Sequence, residues 1–158
     1  MLIRNPEKWV QRDQDNVLTV PWIAVDILDQ NVNQISQAIS QLEKEIECIN
    51  FPYVKNVTSW SMGLVFVAGD GCFTSKEQNI FQAEWQMISL DDGCNGYSTR
   101  VIHQMVISSL GLIFEHQRSD SNIYIDYDGE TVNDDSPFKF DISSVMLISQ
   151  RQEHQVPI

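Results

Sequence analysis

Apolar residues between Asp29 and Asn50 recur at intervals of three and four along the chain. This spacing places them along one side of an amphipathic α-helix, with glutamine, glutamate and lysine covering the other sides. Pro52 cannot continue a helix and marks the end of the pattern. The sequence therefore predicts a helix over about 29–49, whose stripe packs on the protein's own sheet or pairs with another chain. The stripe consists of Val32, Ile35, Ile39, Leu42, Ile46 and Ile49.

A second helical pattern covers 98–110. Ser98 or Thr99 can cap its first turn, and Gly111 can end it. The apolar residues that share one face are Val101, Ile102, Met105, Val106 and Leu110.

Several segments between and after these helices have the composition of strands. Val17–Leu28 is rich in Val, Ile and Trp, and its Pro21 favours an edge or a bulge. Met62–Ala68 is a compact apolar run, and polar and apolar residues alternate from Phe81 to Met87. Leu112–His116 also fits a short strand.

The strongest local hairpin signal lies in Asn122–Val132. Asp128-Gly129 is a preferred two-residue turn, and counting outward from it pairs Ile125 with Val132. Alternation resumes at Phe138, while the end of that stretch, 145–150, fits a strand or a helix.

Strands in succession favour a mainly antiparallel sheet. We therefore expect a single α+β domain over 1–158, with the two helices packed on one face of the sheet. The termini, 1–15 and 150–158, are expected to be loosely ordered. The element order resembles that of the acidic secretion chaperones, a resemblance of topology without a shared residue motif.

Acidic residues dominate the charge. Ten lysine and arginine residues face 22 aspartate and glutamate residues, so the formal net charge is -12. Such a chain repels nucleic acid and anionic membranes on average, so neither is an expected partner. A basic protein or a cation matches this charge better, and solubility alone is the alternative explanation.

The N-terminal region lacks the apolar stretch of a signal peptide, and no apolar run approaches the length of a membrane span. The three cysteines, Cys48, Cys72 and Cys94, are widely spaced. This spacing predicts no disulfide framework and a reducing compartment, so a cytoplasmic location is expected.

No common catalytic motif is present: GxSxG, HExxH and the P-loop are all missing from the sequence. A zinc site built from Cys72, Cys94, His103 and His116 would lack the close ligand pairs of structural zinc sites. We therefore expect no metal, no cofactor and no catalytic residue. A thiol nucleophile at Cys94, served by one of the histidines, stays open as an alternative.

The acids concentrate in what we call the acidic segment, residues 120–141, which holds seven carboxylates opposed only by Lys139. Aromatic residues interleave with them, as in protein-binding surfaces. The alternative is a solvated hairpin edge whose charges block strand addition. The residues predicted to contact a partner are Tyr124, Asp126, Tyr127, Asp128, Glu130, Asp134 and Asp135.

These observations favour a non-enzymatic cytoplasmic binding protein, a monomer or homodimer. Its most concrete form is an immunity protein, inhibitor or antitoxin that covers a basic toxin domain of the nuclease type. One alternative is a dimeric protein, similar to a secretion chaperone, that holds a partner segment and pairs through the stripe of the first helix. Another is a small enzyme that uses Cys94 or a carboxylate pair.

Overall fold

A computed structural model of the protein describes residues 17–75, 84–112, 114–125, 129, 131 and 143–146. Two α-helices lie within these ranges, α1 over Asp29–Glu45 and α2 over Thr99–Ser109. The strands are β1 Leu18–Thr19, β2 Trp22–Val25, β3 Ile49–Asn50, β4 Met62–Ala68, β5 Phe73–Ser75 and β6 Glu84–Leu90.

The main sheet has the strand order β2-β4-β6-β5. β2, β4 and β6 run parallel, and only β5 runs antiparallel to its neighbour β6. β1 and β3 form a separate parallel pair. The prediction of a mainly antiparallel sheet is therefore wrong. Its physical reason is α1, which lies between β2 and β4 in the chain and carries it back across the sheet, so that β4 starts at the same end as β2.

The stripe of α1 packs inside the chain. Ile35, Ala38, Ile39 and Leu42 are at most 2% exposed and belong to one core with residues of β2, β4 and β6. This confirms the helix and the interpretation that its stripe packs on the protein's own core. The helix ends at Glu45, earlier than predicted, because Ile49 joins β3 and pairs with Leu18.

α2 is buried on all sides, and every residue from Val101 to Leu110 is buried. It contacts α1, β5 and β6. Among its polar residues, His103 forms a hydrogen bond between Nε2 and the Ala38 carbonyl oxygen at 2.7 Å. The predicted bounds of this helix are within two residues of the observed ones. The prediction of a single buried face is wrong, because the helix is buried all round.

Several segments that the sequence predicts as strands have a different structure. Val17–Leu28 divides into β1 and β2 at Pro21, which has no N–H to offer but whose carbonyl accepts from Leu64 N at 2.9 Å. Glu115–Gln117 and Ser121–Ile123 are short 3-10 helices instead of strands, so the first strand of the predicted hairpin is wrong.

The rest of that hairpin, apart from Gly129 and Thr131, lies outside the described residues, as do Phe138, both termini and 147–150. No helix in the described ranges has the length and apolar character needed to cross a bilayer.

Candidate functional site

A depression of about 260 Å³ lies at the carboxyl ends of three parallel strands. β2, β4 and β6 end at Val25, Ala68 and Leu90, and the chain leaves the sheet there in three loops. Ligands commonly bind at this edge of parallel sheets, where loops rather than strands present side chains. The depression is lined by Asp26, Leu28, Asn31, Ala68, Gly69, Leu90, Asp91, Asp92 and Tyr97.

Asp91 holds two of these loops together. Its carboxylate accepts a hydrogen bond from the Gly93 backbone N–H and another from the Gly71 N–H at 3.0 Å. These two bonds, that from Gly93 first, hold the pKa of Asp91 below its usual value. The carboxylate is therefore ionised at neutral pH, and its role here is to fix the loops beside the depression.

A disulfide between Cys72 and Cys94 joins the same two loops, with the Cα atoms 6.0 Å apart. Gly96 fits tightly beneath it, because an added Cβ would lie 2.7 Å from both the Cys72 sulfur and the Asp91 nitrogen. The prediction of unpaired cysteines is wrong: β5 and β6 are neighbours, which brings together residues that are distant in sequence.

The bond also removes the proposed chemistry of these sulfurs. Cys94 has no thiol to act as a nucleophile, and neither sulfur is available to a zinc site. Cys48 is a free, exposed cysteine. In the part of the chain that the structure describes, no group of three or more His, Cys, Asp or Glu residues could hold a metal ion.

The other polar centre lies where α2 meets residues 143–146, which we call the 143–146 turn. Gln104 Nε2 donates to the Val145 carbonyl at 2.6 Å, and Arg100 Nη2 donates to the Ser144 carbonyl at 3.3 Å. Met146 is buried beside them in the core. Side-chain donors of α2 therefore fasten this turn to the helix.

The helix ends in a tight reversal. Gly111 has a φ of 97°, the left-handed conformation that glycine adopts most readily. Leu112 N donates to the Ile107 carbonyl and Gly111 N to the Ser108 carbonyl, a Schellman motif. Beyond it, the rings of Phe114 and His116 lie 5.3 Å apart, and burial lowers the pKa of His116 to about 4.

Of the residues predicted to contact a partner, the structure describes Tyr124, which is 51% exposed. The others lie outside the described residues: Asp126, Tyr127, Asp128, Glu130, Asp134 and Asp135. Their role in binding stays a prediction. One acid of the acidic segment already has a basic partner, because Asp120 forms a two-pronged ion pair with Arg118 at 2.9 and 3.0 Å.

The sequence and the structure were compared with known proteins. Residues 8–154 match the model of the astacin family, which is a family of peptidases. No curated protein sequence matches. High choriolytic enzyme 1, a hatching enzyme zinc-protease from the medaka fish Oryzias latipes, is similar in structure, with a TM-score of 0.71 and 17% identity over 87% of this chain and 71% of that one. A structure of myroilysin gives a TM-score of 0.42 and 19% identity, over 63% and 50% of the two chains.

Sequence reasoning missed Gln104 and the 143–146 turn. Neither forms part of a complete motif, and an amide is neither a usual zinc ligand nor a base. The usable signal was spacing: Gln104, Ser108, Gly111 and Phe114 stand at the intervals of the metzincin motif H-E-x-x-H-x-x-G-x-x-H, without its histidines.

The family match, which spans most of the chain, overturns the functional interpretations of the sequence. The immunity protein, inhibitor or antitoxin is wrong, and so are the basic protein partner and the non-enzymatic class, because the matching family is one of peptidases. Net charge misled the prediction, since acids that keep a protein soluble and acids that steer a partner have the same composition. The alternative similar to a secretion chaperone fails as well, because its proposed pairing stripe on α1 is buried in the protein's own core. The chain belongs to the astacin family of peptidases.

Proposed function

We propose that this chain takes polypeptides in extended conformation as its substrates and binds them along β5. The family match over residues 8–154 carries this proposal, because it places the chain among peptidases. The fish hatching enzyme of similar fold is a zinc-protease.

The sheet offers a suitable edge. Within the described residues, β5 is paired on one side only, with β6, and ends the order β2-β4-β6-β5. An edge strand can accept an extended peptide as an additional strand through main-chain hydrogen bonds. Phe73 of β5 is 47% exposed, which gives the bound peptide an apolar contact.

β5 is also held in place before any peptide binds. The disulfide fixes Cys72 immediately before the strand. Ser89 Oγ donates to the Gly71 carbonyl at 2.9 Å, and Asp91 accepts from the Gly71 N–H. A preformed edge loses little conformational entropy on binding, so main-chain pairing contributes more of its energy to affinity.

α2 lies against β5, so a peptide bound there would pass near the helix. The fish enzyme is a zinc-protease, but the side chains at the corresponding positions in α2 and just after it do not fit a zinc ion. Gln104, Ser108 and Phe114, at the ligand intervals, offer an amide, a hydroxyl and a hydrocarbon ring, whereas zinc takes thiolate, imidazole or carboxylate. We therefore derive no step through zinc.

A binding assay with matched variants tests the proposal. Fluorescein-labelled, unstructured peptides of about twelve residues, long enough to span a strand, are titrated with the protein and followed by fluorescence anisotropy. Mass spectrometry of the same mixtures reports cleavage. We expect Phe73→Ser to weaken binding about tenfold, the loss of a good apolar contact. Tyr53→Ser removes an equally exposed aromatic ring elsewhere, Tyr53 being 49% exposed, and should leave binding within about twofold.

Absence of both binding and cleavage with every peptide would contradict the proposal. An equal effect of the two variants would contradict β5 as the binding edge.

The cytoplasmic location stays a separate proposal. It has lost the support of the cysteines, because disulfides such as Cys72–Cys94 are rare in reducing compartments. Cell fractionation with the native protein checks it.

A further inference from the structure

The glycine at the end of α2 shows how the residues of this helix align with a zinc-binding motif of peptidases. In metzincin peptidases the motif H-E-x-x-H-x-x-G-x-x-H places two histidines on a helix and a glycine at its end. Gly111 is the residue that ends α2 here, with a φ of 97° and the Schellman hydrogen bonds. Counted from Gly111, the three histidine positions hold Gln104, Ser108 and Phe114, and the glutamate position holds Met105.

Counting from the histidine that α2 does contain gives no better donor set. If His103 were the first ligand, the second ligand position would hold Ile107 and the glycine position Leu110. The imidazole also points elsewhere, since its Nε2 lies 2.7 Å from the Ala38 carbonyl of α1. In both registers the helix supplies at most one zinc ligand, whereas catalytic zinc sites use three.

The side chains at the two ligand positions on the helix are buried in roles of their own. Gln104 is 2% exposed, and its Nε2 donates to the Val145 carbonyl at 2.6 Å. Ser108 is 5% exposed. Residues four apart share one face of a helix, so these two define the face on which a zinc ion would be held.

Two further hydrogen bonds support the contact between α2 and the 143–146 turn. Arg100, one turn before Gln104, donates to the Ser144 carbonyl at 3.3 Å, and Met146 N donates to Ser144 Oγ at 3.1 Å. Met146 is 5% exposed and completes the core below. The turn is thus attached to α2 by hydrogen bonds that need no metal.

We infer that α2 of this protein holds no zinc ion, and that the hydrogen bond from Gln104 to the 143–146 turn fastens the helix in a fold that is independent of metal. The inference rests on the family assignment and on these contacts, and it is separate from peptide binding along β5.

The zinc content of the protein tests the inference that α2 holds no zinc ion. The full chain is dialysed against zinc chloride and then against metal-free buffer, and its zinc is measured by plasma mass spectrometry. We expect less than about 0.1 zinc per chain, and no change in melting temperature with a chelator, because no binding energy is linked to folding. A known zinc protein, treated in parallel, shows that the procedure retains bound metal.

The ligand variants locate any ion that is found. About one zinc per chain in the native protein, lost in Gln104→Ala or Ser108→Ala, would overturn the inference. Zinc that both variants retain lies off this face of α2 and leaves the inference standing.

The fastening role of Gln104 is tested by introducing a charge at this position rather than by shortening the side chain. Gln104→Glu keeps the size of the side chain but removes its N–H donors and places a carboxylate against the Val145 carbonyl. We expect the melting temperature to fall by at least about 5 °C. Gln41→Glu makes the same change on an exposed position of α1 and should shift it by less than about 1 °C. Equal shifts in the two variants would contradict the fastening role. Peptide binding by the zinc-free native protein would leave the proposed function intact, so the two hypotheses fail independently.

Discussion

Single residues in the core of this fold have little room to change. Gly63 of β4 pairs with Trp85 of β6, and the Trp85 ring lies across the position where a side chain at residue 63 would begin. A Cβ there would lie 2.5 Å from Trp85 Cζ3 and 2.6 Å from the Pro21 carbonyl oxygen. Trp85 is 1% exposed and cannot move outward, so this position tolerates only glycine.

We therefore expect Gly63→Ala to lower the free energy of unfolding by about 1–3 kcal/mol, the usual cost of overpacking a core. Urea denaturation followed by tryptophan fluorescence measures it. Gly93→Ala is the control, because Gly93 is exposed and an added Cβ would meet only the Asp91 carboxylate at 3.1 Å. A loss at Gly93 as large as that at Gly63 would show that the Trp85 contact is not the cause.

His116 makes stability depend on pH. Burial lowers its pKa from 6.5 to about 4, so below pH 6.5 the unfolded chain takes up a proton that the folded chain does not. Stability contributed by the neutral imidazole is thus present above pH 6.5 and is lost as the pH falls toward 4. We expect a loss of about 1–2 kcal/mol between pH 6.5 and 5, allowing for partial screening by solvent.

Urea denaturation at both pH values checks this, with His116→Asn as the comparison. The variant has no group that titrates at this position, so its loss over the same range should be smaller than that of the native protein. Parallel pH profiles of the two proteins would disprove the assignment to His116.

At the scale of elements, the loops that leave β4 and β6 are joined by one covalent bond and by several hydrogen bonds around Asp91. The disulfide between Cys72 and Cys94 closes a loop that contains β5 and β6 and precedes α2. Such a bond stabilises a protein mainly by restricting the unfolded chain, by an amount that grows slowly with loop length.

Reduction of this disulfide should lower the free energy of unfolding by about 3 kcal/mol. The double variant Cys72→Ser and Cys94→Ser should show the same loss and should no longer respond to reducing agent. Cys48→Ser, at the exposed free cysteine, should behave as the native protein does in both conditions. The measurement is urea denaturation with and without dithiothreitol. A double variant as stable as the native protein would show that the bond contributes nothing.

At the scale of the whole molecule, α1 belongs to the interior. Ile35 is 0% exposed and Ile39 is 2% exposed, both within the core that β2, β4 and β6 also enter. The helix therefore stabilises this chain by burial within it and presents no apolar stripe to a second copy.

We expect Ile39→Ala to lower the free energy of unfolding by about 2–5 kcal/mol, the range for removing buried methyl groups. The molar mass from light scattering should be the same as that of the native protein. Ser40→Ala, on the exposed side of the same helix, should have little effect on either quantity. A variant of normal stability but altered mass would place Ile39 at an interface between chains.

Local patterns predicted α1, α2 and β4 well, because periodicity and end signals are properties of neighbouring residues. The direction of the sheet could not be read in this way: an apolar run such as Met62–Ala68 has the same composition in a parallel and an antiparallel neighbourhood. The disulfide could not be predicted from local patterns either, because its prediction depends on the knowledge that β5 lies beside β6. Gln104 was hidden for a different reason, since only its spacing, and not its chemistry, resembles the motif.

The parallel pairing of β2 with β4 also governs the order in which the chain assembles. Trp22 pairs with Leu64, so β2 cannot gain β4 as its neighbour in the main sheet until α1 and β3 have left the ribosome and β4 has followed; before that, only its bridge from Trp22 to Tyr53 can form. The local hydrogen bonds of α1 can form sooner than strand pairing in the main sheet, but a helix of this length is only marginally stable until its apolar stripe is packed. A nascent chain stalled before residue 64 would thus expose the apolar stripe of α1 and most of β2, surfaces that favour aggregation and chaperone binding.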